Sequence, residues 1–192
     1  MKKSSVAFAF TFLFLISVSC QEEPAQTDTD RRKSPIAIAK VDHNNTYIKI
    51  VYGQPYKRGR TIFGDLVPYN EVWRTGANEA TELTTTRDIV LADKKVEAGT
   101  YALFTIPGKE QWTLILNGEL GQWGAFDYNA EYDILRVDVN SEQVEDAAEA
   151  FSIQFGEVQN DSTSITIRWD RTRVNIPVAF LNQDHSTGNA AS

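Results

Sequence analysis

The chain has 192 residues, with 19 Lys and Arg against 26 Asp and Glu, a net charge of −7 that becomes −9 when Lys2 and Lys3 are set aside. So acidic a surface repels phosphate backbones, which excludes nucleic acid as an expected partner. With one cysteine and two histidines, the chain lacks the ligands that transition metals prefer and an imidazole placed beside a nucleophilic hydroxyl, so no metal and no cofactor are expected.

Lys2 and Lys3 precede the apolar run from Val6 to Val18. That run is too short for a stable membrane span but has the length of a signal-peptide core, so export is expected. The small residues Ser17 and Ser19 lead directly to Cys20. This arrangement resembles a bacterial lipoprotein signal, although Ser17 stands where leucine is usual. The resemblance implies that residues 1–19 are removed and that Cys20 carries lipid, which would anchor the chain to a membrane of the cell envelope. Residues 20–34 then form a tether, because "QEEPAQTDTDRRKS" has almost no apolar surface to bury against the cost of ordering. Residues 35–180 read as one domain, and 181–192 as a disordered tail.

Two-residue alternation recurs along that domain. It is weaker at Ile36 to Val41, Tyr47 to Tyr52, Thr81 to Thr86, Tyr101 to Ile106 and Trp112 to Asn117. It is strict at Leu135 to Val139, Phe151 to Phe155 and Ile165 to Trp169. A last strand, Arg173 to Val178, contains Pro177, which cannot donate to a ladder and should therefore lie at an edge. Only "SEQVEDAAEA", residues 141–150, reads as helix, with a capping serine and acidic residues in its first turn. The fold class is all-β: an antiparallel β-sandwich of about nine strands with one short helix. Trp112, Leu114, Leu116, Phe151, Ile153 and Phe155 are the expected core.

The segment 53–73 has three glycines, two prolines and no period, so it is a long loop of the kind that tends to carry function. Its Lys57, Arg58 and Arg60 form a basic cluster that could meet a carboxylate or phosphate. Next comes "VWRTGANEATEL", where Gly76 permits positive φ and Asn78 tolerates the left-handed region, bending the chain. Trp73, Arg74 and Glu79 flank that bend. They could form a binding site, or a buried Arg74–Glu79 pair under Trp73 could brace the loop. A second aromatic patch, "GQWGAFDYN", holds Trp123, Asp127 and Tyr128. "DYNAEYD" alternates oxygen ligands at Asp127, Asn129, Glu131 and Asp133 but lacks the glycine and glutamate of a calcium loop, and reads as a polar connection.

"GRTIFGDLVPYNEVWRTGANEAT", "AGTYALFTIPG", "WTLILN", "QWGAFDYN" and "LRV" together resemble a bacterial family catalogued as domain of unknown function 2911, over about Ser34 to Val178. The resemblance implies an exported β-rich protein, often a lipoprotein, and no activity. The expected function is binding of a small polar ligand or glycan, with Trp73 and Trp123 as stacking surface and Arg60, Arg74, Asn78, Glu79 and Tyr128 as polar partners. One alternative is an acid–base hydrolase using Glu79 and Asp127. The other is a structural or assembly partner without a ligand.

Overall fold

The computed structural model describes residues 33–181. The expected signal, Cys20, most of the tether and the tail with His185 lie outside the described residues.

Nine strands run in chain order: β1 (Ile36–His43), β2 (Thr46–Gly53), β3 (Thr81–Thr85), β4 (Ile89–Leu91), β5 (Lys94–Val96), β6 (Gly99–Ile106), β7 (Gln111–Asn117), β8 (Asp133–Phe155) and β9 (Ser162–Phe180). All pairings are antiparallel, in the order β1-β2-β3-β6-β7-β8-β9-β4-β5. The all-β antiparallel architecture therefore stands, with its layers joined through one open sheet. The joint is β8, which pairs with β7 up to Asn140 and with β9 from Ser141 onward. Beyond that joint the sheet faces itself: the Tyr52 hydroxyl of β2 donates to the Ile153 carbonyl of β8 at 3.4 Å and accepts its N–H at 3.1 Å.

The alternating strands bury one face each. Trp112, Leu114, Leu116, Phe151 and Ile153 lie in a single core cluster with Ile165, Ile167 and Trp169, and Phe155 packs against it. Two-residue turns with positive φ at both positions close the tight hairpins, at Asn44-Asn45, Ala92-Asp93 and Asn160-Asp161. That geometry matches the right-handed twist of the strands it joins.

Residues 141–150 are not helical. They continue β8 as strand, and the only helix among the described residues is a 3-10 turn at Ala130–Tyr132. The reason lies in partners distant in sequence. The Ser141 N–H donates to the Glu110 carbonyl, its hydroxyl to the Lys109 carbonyl, Arg173 Nε to Glu142 at 2.7 Å, and Gln143 Nε2 to the Thr172 hydroxyl. Helix propensity differs by only tenths of a kcal/mol among such residues, so a ladder with cross-strand pairs prevails. The segment is also bulged, since Gln143 to Ala148 spans only Thr172 to Asp170, and mostly exposed, which removes the alternation that marks a strand.

Pro177 does not lie in an edge strand either, because β9 runs between β8 and β4. The ladder with β8 reaches only Val174, however, and Pro177 pairs on one side alone by accepting the Ala92 N–H through its carbonyl. A missing donor costs nothing where no neighbour needs it.

Candidate functional site

The loop between β2 and β3 folds back as a plug over one end of the core. Ile62 and Val67 are buried and Phe63 packs against them. At the loop's end Trp73 exchanges two hydrogen bonds with Thr105 of β6, at 2.7 and 2.9 Å. The chain then turns sharply, with the Trp73 indole donating to the Gly76 carbonyl at 3.2 Å and the Ala77 N–H to Gly53 at 3.1 Å.

Positive φ in this bend belongs to Thr75 (54°) and Asn78 (67°), not to Gly76. A buried β-branched residue in the left-handed region is strained, and its hydroxyl compensates by bonding Thr105 at 3.0 Å while its carbonyl accepts from Thr81 at 2.8 Å. Gly76 is required for closeness: a Cβ there would stand 2.9 Å from the Gly53 carbonyl oxygen and 3.1 Å from the Thr81 hydroxyl. Gly76→Val should therefore cost about 1 to 3 kcal/mol by overpacking. A denaturation midpoint equal to that of the native chain would contradict the crowding.

The two motif patches meet through their backbones, since the Ala80 N–H donates to the Gln122 carbonyl and the Gly124 N–H to that of Asn78. Their side chains separate. Trp73, Arg74, Asn78 and Arg60 line one open cavity of about 300 Å³, with Tyr56 and Trp169 among its walls. Glu79 is exposed and lines a second cavity of about 210 Å³ with Glu82, Ile36 and Val51. Trp123 and Tyr128 line neither.

Trp73 is only 7 % exposed, and its ring meets Phe63, Trp112, Phe151 and Trp169 at centroid distances of 5.3 to 6.1 Å. It is first a core side chain. Trp123, by contrast, is 58 % exposed. Tyr128 belongs to a brace: its hydroxyl donates to Asp133 at 2.7 Å and accepts from Arg136 at 2.8 Å, and its ring packs on Phe104. Burial, followed by the hydrogen bond to Asp133, pushes its pKa up to about 12, so the phenol stays protonated. Asn129 caps the 3-10 turn and Asp133 also takes Arg136 and Asn117, which gives two of the four oxygen ligands of "DYNAEYD" structural duties.

No buried Arg74–Glu79 brace forms, because Glu79 is exposed. Arg74 is half-buried, its Nε closed off from water with no hydrogen-bond partner, and burial lowers its pKa with no carboxylate to offset it. Arg58 and Arg60 instead lean on backbone: Arg58 Nη2 donates to the Lys33 carbonyl at 3.0 Å, and Arg60 donates to the carbonyls of Tyr56 and Lys57 at 2.6 and 3.0 Å. Lys57, their sequence neighbour, pairs with Asp170 and faces no cavity described.

Sequence reasoning missed Tyr56, Leu66 and Trp169 as walls, and it assigned Lys33 and Ser34 to the tether although both line this cavity. The signal present was the basic run 57–60, which pointed to the right loop. A family model described as protein of unknown function (DUF2911) matches residues 34–178. No curated protein and no solved structure matches the chain.

Proposed function

The chain belongs to the DUF2911 family, a name that carries no activity, and we propose that it is an exported protein, anchored by lipid on Cys20, whose domain binds one small polar ligand or glycan unit. The site is the cavity beneath the "WRTGAN" bend. The observation supporting this reading is the cavity's make-up: Trp73, Trp169 and Val67 form an apolar side, while Arg74, Asn78 and Tyr56 converge on the same space. A few placed polar groups against apolar walls are what a ligand pocket needs, and about 300 Å³ is the small end of the usual range.

The acid–base alternative has less support, since Glu79 and Asp127 are both exposed and Asp127 lines neither cavity. A partner-binding role keeps one specific observation in its favour: Leu120, Trp123 and Phe126 project from one short segment at 45, 58 and 83 % exposure.

Leu66 is 43 % exposed and lines the cavity, so a larger side chain there narrows the space without entering the core. Ligand-detected NMR of the mature chain against monosaccharides, amino acids and small organic acids should give binders whose affinity falls ten-fold or more in Leu66→Trp. Binding untouched by that change would move the site elsewhere. For the anchor, Cys20→Ala should shift the protein from the membrane to the soluble fraction, and an unmodified thiol in the intact mass of the membrane-extracted protein would refute it.

A further inference from the structure

The charges around this cavity are unlike those of the rest of the chain. Net charge is −7 overall, yet the described residues lining the cavity include Lys33, Arg58, Arg60 and Arg74 and no Asp or Glu. The Glu149 carboxylate accepts the backbone N–H of Arg58 at 2.7 Å, and among the described residues none of these four side chains forms an ion pair. Carbonyls hold the Arg58 and Arg60 guanidinium groups in place, and carbonyls orient a cation without neutralising it.

Arg74 is the sharper case. Its side chain makes no hydrogen bond or ion pair among the described residues, and its Nε is sealed from water without a partner. A charge withdrawn from water without a partner opposes folding, and a buried donor left unmade adds to that cost. Four cations outside the cavity have carboxylate partners, Lys57 with Asp170, Lys95 with Asp88, Arg136 with Asp133 and Arg173 with Glu142, and Arg168, whose Nε is also sealed, still donates to the Asp146 carbonyl through Nη2.

We propose that the ligand of this cavity carries a carboxylate or a phosphate, received by the fork of Arg74 with Arg58 and Arg60 lining the same space, and that its ring or apolar body lies against Leu66 and Tyr56, meeting only the rims of Trp73 and Trp169. This rests on the cavity being the ligand site. A planar guanidinium matches both anions bidentately, which is what distinguishes it from an ammonium. The cavity's size admits one such small molecule and not a chain of several units.

Glucose, glucuronate and glucose 6-phosphate share a ring and differ in charge, so calorimetric titration of the three into the mature chain separates anion from ring and carboxylate from phosphate. At least one anion should bind ten-fold or more tightly than glucose, and that preference should weaken as salt is raised. Arg74→Met should abolish the preference, Arg74→Lys should restore part of it, and Lys95→Met, which removes an equal charge from an exposed pair, should leave it unchanged. Because Arg74 has no partner to strand, the Met variant keeps its fold, which its denaturation midpoint verifies. Glucose binding as tightly as both anions, or a preference that survives Arg74→Met, would overturn the anion assignment alone. If none of the three binds, the Leu66→Trp-sensitive binders of the wider panel decide: uncharged binders alone would overturn the anion assignment, and no such binder at all would overturn the cavity as a ligand site.

Discussion

Gly53→Ala should lower the stability of the domain by about 3 kcal/mol or more, although it adds a single methyl group. A Cβ at Gly53 would stand 2.0 Å from the Ala77 carbonyl oxygen and 2.9 Å from its carbon, and both are backbone atoms. A side chain can swing away from an intruding methyl, whereas a carbonyl cannot move without its peptide. Here that carbonyl belongs to Ala77, which lies between Thr75 and Asn78, both at positive φ, and whose own N–H in the preceding peptide already donates to the Gly53 carbonyl. Overpacking commonly costs 1 to 3 kcal/mol when neighbours can yield, so about 3 is the lower bound when they cannot. Alanine suits a strand at least as well as glycine, and no propensity loss confuses the result. Because the bend carries Arg74 and Asn78 into the cavity, ligand affinity should fall together with the denaturation midpoint. An unshifted midpoint would mean that the bend does not sit on β2.

The same contact shows why some of the fold was legible in the sequence and some was not. Strands with one wet face announced themselves: Leu135, Ile153 and Ile167 are buried at the positions their alternation requires. The hairpin of β4 and β5 gave no such signal, being three residues on each side and closed by Ala92-Asp93, where glycine or asparagine would mark the turn. Segment 141–150 misled because it is wet on most sides and its partners, Arg173 and Thr172, lie some thirty residues onward. In the bend, the left-handed Asn78 followed from local chemistry. The need for glycine at 76 and 53 arises from chains meeting across the fold, which no local pattern contains. The site follows the same division: the basic run 57–60 was visible, but whether Arg74 finds a carboxylate depends on where Glu79 points, and it points to another cavity.

Trp73→Ala should cost about 3 to 5 kcal/mol, a size reserved for large aromatic side chains removed from a packed core. Four rings surround Trp73, three of them edge-on and Trp169 nearly parallel at 16°, so truncation opens a void that Phe63, Trp112, Phe151 and Trp169 all line. The indole also satisfies the Gly76 carbonyl, and Trp73→Phe isolates that contribution by keeping most of the ring while leaving a buried acceptor unpaired. The Phe variant should lose about 1 to 3 kcal/mol. A tryptophan serving only as a stacking platform would behave oppositely, because an exposed ring can be cut back with little effect on folding and a large effect on binding. Chemical denaturation of both variants distinguishes the two: a loss below about 1 kcal/mol in Trp73→Ala would remove Trp73 from the core. If the large loss is found, any ligand lying against Trp73 meets the rim of a side chain that is already fixed. The cavity wall is then rigid before binding, and the ligand need not order it.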